Sequence, residues 1–328
     1  MDIISSTRTL LRHTVRAWPV QMKLEILRAI CEDDPRFVQQ NGRKLISLLS
    51  KPLNINGIRT TGEYGEIVSS PDDRIVFAGY SEQGRWAEYS NALFGRFFDE
   101  SGGGTYLDIG ANIGLTTIPI AKRQTVQCLA FEPDETNFHN LCFNITQNCP
   151  GSNVKLHKVA IFERMTELSF SIAQGNLGDH RIHIGKGGDD QLSEHRRKVT
   201  KVRAVPLDDF HKDVRGPLAI KIDTQGAEPF VFAGGRNAIQ EAELVVLEWW
   251  PYSMDRMSGD PLLVLNALRQ GFSWGRISQP EAVDADGHPQ PMSDICDQLQ
   301  ATLASDRQSS SVSFDITASK TERVLRPA

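Results

Sequence analysis

The stretch Tyr106-Leu107-Asp108-Ile109-Gly110-Ala111-Asn112-Ile113-Gly114 limits the possible folds of this chain more than any other. A polar approach, Ser101-Gly102-Gly103-Gly104, leads into apolar residues that read as a buried strand, and the chain breaks at glycines before Leu115-Thr116-Thr117-Ile118 starts a helix. Strand, tight turn and helix start form the nucleotide-binding unit of doubly wound α/β folds. A turn made for a dinucleotide follows G-x-G-x-x-G and seats a pyrophosphate on the helix N-terminus. Here the spacing is Gly110-x-x-x-Gly114, with Asp108 at the strand end. A carboxylate there repels a second anion and attracts the ammonium and sulfonium of S-adenosylmethionine, so Asp108 favours that ligand over NAD. The competing interpretation is an ordinary strand-to-helix turn that uses glycine for steep backbone angles.

A second apolar run, Val126 to Phe131, ends in Glu132-Pro133. An acid about twenty residues beyond the glycine turn, at the end of the second strand, is where adenosine-binding domains accept the ribose hydroxyls. Glu132 takes that role here, against the alternative of an acid opening the next helix. A third strand, Val154 to Val159, puts Val159 and Ala160 where an adenine ring would rest. Two later runs repeat the pattern. Leu218 to Ile222 ends in Asp223-Thr224-Gln225-Gly226-Ala227-Glu228, and Leu244 to Leu247 ends in Glu248-Trp249-Trp250-Pro251. Carboxylates at the ends of central strands face the ligand crevice, so Asp223 and Glu248 are candidates to bind or deprotonate a substrate, with capping or surface acids as the alternative.

Between these blocks the chain reads as follows. Glu66 to Val68 and Arg74 to Phe77 suit two short strands around a Ser-Pro-Asp-Asp turn. A helix over Glu82 to Phe98 carries Trp86, Tyr89, Leu93 and Phe97 on one core-facing stripe, and Glu88, off that stripe, is a candidate for the methionine end of the cofactor. Glu135 to Asn148 is a further helix, and Leu168 to Ile172 and Lys201 to Pro206 are strands, the latter at an edge. The glycine-rich polar loop from Gln174 to Asp190 holds His180 and His183, either able to take a proton near neutral pH. A helix over Leu262 to Leu268, a strand over Phe272 to Ile277, a helix over Ser293 to Ala304 and a last strand over Ser311 to Ile316 complete the chain, whose tail is expected to fray.

At 328 residues, 40% of them hydrophobic, the chain can bury a full core. Its organisation reads as an N-terminal helical extension over 1–60, a catalytic domain over 61–320 and a tail over 321–328. The extension is open to covering the core, shaping a lid or pairing two copies as a homodimer. A net charge of -5 argues against broad attraction to nucleic acid. Five cysteines without a C-x-x-C pair point to reduced thiols in the cytoplasm and not to a zinc site. No apolar run is long enough to span a membrane, and none resembles a signal peptide. Asp223 and its neighbouring acids would suit magnesium, but no third ligand stands at a convincing spacing, so no metal is expected.

Taken together, these residues resemble the FkbM-type S-adenosylmethionine-dependent methyltransferases. The resemblance rests on Leu107 to Gly114, Ala130-Phe131-Glu132-Pro133, Val205-Pro206-Leu207-Asp208-Asp209, Lys221-Ile222-Asp223-x-x-Gly226-Ala227-Glu228 and Gly234-Gly235, in family order. It implies an α/β class I methyltransferase (Rossmann-like) fold, a seven-stranded mostly parallel sheet with its last strand inserted antiparallel. It also implies O-methylation of a hydroxyl on a sugar, glycan or natural product. Asp108, Gly110, Asn112 and Gly114 would carry over as the cofactor loop and Glu132 as the ribose acid. Many family members carry Val-Glu where this chain has Thr224-Gln225, which leaves the base open among Asp223, Glu248 and His180. A module that binds the cofactor without catalysis and an NAD-dependent oxidoreductase remain the alternatives.

Overall fold

The computed structural model describes residues 57–183, 194–279 and 288–326, together with Pro19, Gln21, Met22, Glu25, Ile46 and Ile55. The chain separates into two units, Met1–Gly57 and Ile58–Ala328. The helices expected before residue 50 fall almost wholly outside the described residues.

The second unit is built on one large sheet. Its strands in chain order are β3 (Gly104–Ile109), β4 (Val126–Phe131), β5 (Val154–His157), β10 (Leu218–Ile222), β11 (Leu244–Trp249), β12 (Trp274–Ser278), β13 (Gln290–Pro291) and β14 (Phe314–Ser319). The spatial order is β13-β12-β14-β11-β10-β3-β4-β5. From β5 through β11 the pairing is parallel, and β14 enters antiparallel between β11 and β12. The two-residue β13 adds an eighth strand at the edge where seven are expected.

The continuous apolar runs of the central strands follow from burial on both faces. Because side chains alternate, Leu107, Ile109, Leu129, Phe131, Ile220 and Ile222 enter one core. Tyr106, Cys128, Ala130, Ala219 and Val246 enter the other.

A hairpin of β1 (Ile58–Gly62) and β2 (Gly65–Ser69) turns at Glu63-Tyr64. The side-chain amides of Asn144 and Asn148, on the helix Glu135–Asn148, serve β2 as a neighbouring strand would. Asn144 accepts from Val68 N–H at 2.8 Å and donates to Val68 O at 3.0 Å; Asn148 does the same for Glu66 at 2.9 and 2.8 Å. Those bonds satisfy backbone groups that an open sheet edge would expose.

Five expectations are corrected by the structure. Arg74 to Phe77 is not a strand: Asp73 accepts N–H bonds from Ile75, Val76 and Phe77 at 3.3, 3.1 and 3.2 Å, and the helix Val76–Gln83 starts there. The single helix over Glu82 to Phe98 is two, Val76–Gln83 and Glu88–Ser101, with Gly84 left-handed at the break and Trp86 in the link. The third strand stops at His157, and the chain passes to a second sheet of β6 (Ala160–Ile161), β7 (Thr166–Ile172), β8 (Arg181–Ile182) and β9 (Lys198–Val205) in the order β6-β9-β7-β8. This sheet has its own small core of Phe162, Phe170, Val202 and Ala204, and the run at Lys201, expected at an edge, lies inside it as β9 between β6 and β7. The chain end does not fray through residue 326: Leu325 is buried, and its carbonyl and that of Val324 accept Arg276 and Arg96.

The Asp73 cap gives a first prediction. Asp73→Ala is expected to lose about 1–2 kcal/mol in urea denaturation, because three N–H groups lose their acceptor at once. An unchanged midpoint and slope would show that water replaces the cap without cost.

Candidate active site

Strand order reverses between β3 and β10, and β3, β4, β10 and β11 all end on the same side of the sheet. Ligand crevices in open α/β sheets form outside strand ends at such a reversal. A cavity lies there, lined by Gly110 to Ile113, Glu132, Val159, Ala160, Asp223 and Glu248.

Its floor is the glycine turn. Gly110 and Asn112 lie in the left-handed region at φ 81 and 51. The N–H groups of Gly110 and Ala111 both donate to Phe131 O at 3.0 Å, and Gly114 N–H closes onto Ala111 O at 2.9 Å. A Cβ at position 110 would lie 1.9 Å from Asp223 O. Only glycine lets the turn rest against the exit of β10.

Asp108 lies beneath this turn and is absent from the cavity wall. It shares the Tyr106 side of β3, so its carboxylate meets the start of the following helix. One oxygen accepts from Thr116 and Thr117 hydroxyls at 2.7 and 2.6 Å, and the other stands 3.5 Å from Lys221 Nζ. Asp108, expected among the cofactor-loop positions, has its carboxylate engaged beneath the turn by two hydroxyls and an ammonium. Lys221 Nζ also donates to Gly110 O at 2.7 Å and lies 3.6 Å from Asp223 Oδ2. Burial opposes the Lys221 charge, but Asp223, Asp108 and Glu132 outweigh it and hold the ammonium above its ordinary range.

Glu132 is on the wall, 5% exposed. Its two oxygens accept Asn112 N–H at 2.9 Å and Asp134 N–H at 2.8 Å, which fixes the carboxyl at the end of β4 and leaves further lone pairs for a ligand. Burial raises it to about 8 despite those bonds. Val159 and Ala160 form the apolar part of the same wall.

At the far side Asp223 and Glu248 leave adjacent strands and meet through one side chain. Gln225 Nε2 donates to Asp223 Oδ1 at 2.8 Å and to Glu248 Oε2 at 3.0 Å. Ser313 donates to the other Glu248 oxygen at 3.2 Å, and Asp315 faces Glu248 across the β11–β14 pairing. Burial first, then Asp223, Glu228 and Asp315, hold the Glu248 carboxyl well above the usual carboxylate range.

His180 also reaches the cavity, buried beneath the loop before β8. Its Nδ1 accepts Ala173 N–H at 3.1 Å, which puts the neutral ring's proton on Nε2, 3.9 Å from Asp134. Burial lowers its affinity for a second proton. The ring is thus arranged to donate, and its basic nitrogen is already engaged. His183 bonds Ser171 Oγ at 3.0 Å. Glu88 is off the wall, paired with Arg85 at 2.8 Å, while its neighbours Trp86, Ala87 and Ser90 line the cavity.

Asn137, Leu177 and Asp315 are wall residues that sequence reasoning missed. Leu177 O accepts the side-chain amides of Asn112 and Asn137 at 3.3 and 2.9 Å, strapping the loop over the turn. Asn137 lies on the helix Glu135–Asn148 beside apolar inward positions, and its burial, which marks it, is visible only in the fold. Asp315 gives no local signal, since it reaches the site by pairing with a strand far away in sequence.

The wall suits an adenosine donor that carries no phosphate. The side-chain oxygens of Asn112 and Asn137 are buried without a hydrogen-bond partner among the described residues, leaving acceptors for ligand donors. The wall carries Glu132, Asp223, Glu248 and Asp315 against Lys221, whose ammonium already serves Gly110, Asp108 and Asp223. A pyrophosphate would find little here to bind it. Among the described residues no group of three or more His, Cys, Asp or Glu is arranged to hold a metal ion, and no helix is long and apolar enough to cross a membrane.

A protein-family model described as Methyltransferase FkbM domain matches residues 108–271. No curated protein matches the chain. Among solved structures, EvdMO1 is similar at 12% identity and a TM-score of 0.33, over 70% of this chain and 40% of that one. The METTL16 MTase domain is similar at 12% identity and a TM-score of 0.36, over 71% of this chain and 65% of that one. A SAM-dependent methyltransferase from Agrobacterium tumefaciens is similar at 8% identity and a TM-score of 0.37, over 81% and 71%. The chain therefore spans less than two thirds of the length of EvdMO1 and of the METTL16 domain.

Proposed function

We propose that this chain, which belongs to the FkbM methyltransferase family, transfers the methyl group of S-adenosylmethionine to a hydroxyl oxygen of a sugar, glycan or related natural product. S-adenosylmethionine-dependent methyl transfer is the activity of its class. The hydroxyl acceptor is carried by one observation: an acidic pair, Asp223 and Glu248, lines the same cavity as Glu132, beyond the glycine turn that rests against the exit of β10.

Bound S-adenosylmethionine supplies a methyl carbon already activated by its sulfonium. Glu132 accepts the ribose hydroxyls, Val159 and Ala160 bear on the adenine, and the Gly110 to Gly114 turn with Asn112 seats the methionine side. Asp108 and Lys221 hold that turn from below. Asp223 takes the proton that the acceptor hydroxyl loses and fixes the oxygen's direction. Glu248 accepts or donates a hydrogen bond to a second acceptor hydroxyl. We place the enzyme in the cytoplasm, acting without nucleic acid.

The test is a panel of neutral monosaccharides, glycosides and polyols incubated with protein and S-adenosylmethionine, read by mass spectrometry for one added methyl group. A hydroxyl product supports the reading. Methylation confined to amine, carboxylate or nucleic-acid probes contradicts it. NAD binding in place of S-adenosylmethionine, or cofactor binding with no transfer to any probe class, would favour the oxidoreductase or the non-catalytic module.

Glu132 gives a pH prediction. Its carboxyl titrates at about 8 in the free protein, and ribose hydroxyls donate best to the ionised form. Binding therefore lowers the carboxyl's proton affinity and releases a proton. Affinity for S-adenosylhomocysteine should rise with pH, by up to about tenfold per pH unit below 8, and flatten above it. Calorimetry across that range should show the trend in the unaltered protein and its loss in Glu132→Gln. An identical pH dependence in both proteins would remove Glu132 from the ligand.

A further inference from the structure

Beside the ends of β4 and β5 the cavity wall carries two polar atoms that the glycine turn, Glu132 and the acids leave unused. Asn137 is 1% exposed, and its Oδ1 has no hydrogen-bond partner among the described residues. The orientation of its amide is fixed, because Nδ2 donates to Leu177 O at 2.9 Å and a flipped amide would set oxygen against oxygen. His180 supplies the complementary group. Its Nδ1 accepts Ala173 N–H at 3.1 Å, so the neutral ring carries its proton on Nε2. That N–H has no acceptor within hydrogen-bond reach among the described residues. Asp134 Oδ1, 3.9 Å away, is too distant and already accepts the N–H groups of Thr136 and Asn137 at 2.9 Å each. Phe170 meets the imidazole edge-on, with ring centres 6.3 Å apart.

We propose that Asn137 and His180 read the edge of the adenine ring: Asn137 Oδ1 accepts a hydrogen from the C6 amine, and His180 Nε2–H donates to a ring nitrogen flanking that amine. The proposal rests on the placement of the adenine against Val159 and Ala160 given above. One acceptor and one donor are set around a single atom, Asp134 Oδ1, so a ligand that satisfies both presents a donor beside an acceptor. Adenine does this on two edges, its amine lying between the lone pairs of N1 and N7. A base that reverses the pattern leaves buried groups facing their own kind, which costs more than a bond in water would.

The test is calorimetry of S-adenosylhomocysteine against three analogues: S-inosylhomocysteine, with oxygen in place of the amine, and the 1-deaza and 7-deaza compounds, each lacking one ring nitrogen. The unaltered protein should bind S-inosylhomocysteine about 10²-fold more weakly and one of the two deaza compounds about tenfold more weakly. Asn137→Leu keeps the volume and removes the oxygen, and should shrink the preference over the inosyl compound to about tenfold or less. Asn137→Ala serves in its place if the leucine variant fails to fold. His180→Phe should bind S-adenosylhomocysteine and the discriminated deaza compound alike.

A role confined to strapping Leu177 would weaken all four ligands by one factor and leave their ratios unchanged, and that result would overturn the proposal. So would equal affinity of the unaltered protein for the adenosyl and inosyl compounds, or for S-adenosylhomocysteine and both deaza compounds. No acceptor is present in these measurements, so their failure is distinct from failure of the hydroxyl reading.

Discussion

Asp223→Asn is expected to lower methyl transfer by about 10²- to 10⁴-fold at neutral pH, the range by which a positioned general base contributes. S-adenosylhomocysteine affinity should stay close to that of the unaltered protein. Asp223 is at the end of β10 and half-open to the cavity. Gly110 is held by Lys221 and by Phe131, and Glu132 by backbone N–H groups of Asn112 and Asp134, so the cofactor side touches the Asp223 side chain only through the Lys221 ammonium, which keeps Asp108 as its second acid when Asp223 is neutralised. Asparagine keeps the shape and an acceptor oxygen but cannot take a proton. Rates with an acceptor found in the panel, alongside calorimetry, separate the outcomes. Parallel loss of rate and affinity would make Asp223 a cofactor ligand, and an unchanged rate would move the base elsewhere.

The second large effect is Gly110→Ala. The added carbon would stand 1.9 Å from the backbone oxygen of Asp223, and the residue would have to hold φ 81. Neither strain can be relieved by a side-chain rotation, because the opposing atom is main chain. Crowding of about 1–3 kcal/mol and left-handed strain of about 1–2 kcal/mol sum to roughly 2–5 kcal/mol. For a domain of this size the melting temperature should fall by roughly 5–15 °C, and S-adenosylhomocysteine binding should be lost. Gly102→Ala is the control: its φ of 74 imposes the backbone strain, but nothing lies within 4 Å of the added carbon. It should lose only about 1 kcal/mol and bind normally. If both variants bind equally well, the close approach of turn and β10 is not what shapes the cofactor floor.

The central sheet was readable because its strands are apolar on both faces and end in charged or glycine-rich turns. That pattern places Glu132, Asp223 and Glu248 at strand ends without any knowledge of pairing. Local sequence gives Asp108 its place at the strand end, while the side of the strand it shares with Tyr106 depends on register. Arg74 to Phe77 looks like a strand until the Asp73 side chain is seen to cap three backbone N–H groups, a local bond that outweighs β-branched propensity over four residues. The second sheet was invisible as a unit, since β6 and β9 pair in parallel across a long separation. The same non-local pairing hid Asp315, and the contact of Gln225 with two acids emerges only when their strand ends are seen a single amide apart.

The account stands on Glu132 and Asp223 facing one adenosine-bearing ligand in a single cavity. A crystal structure of the protein with S-adenosylhomocysteine tests this directly. Ribose hydroxyls within hydrogen-bond distance of Glu132 and the sulfur turned toward Asp223 would match the account. A nucleoside bound away from β4, or a sulfur facing away from the β10 end, would contradict it.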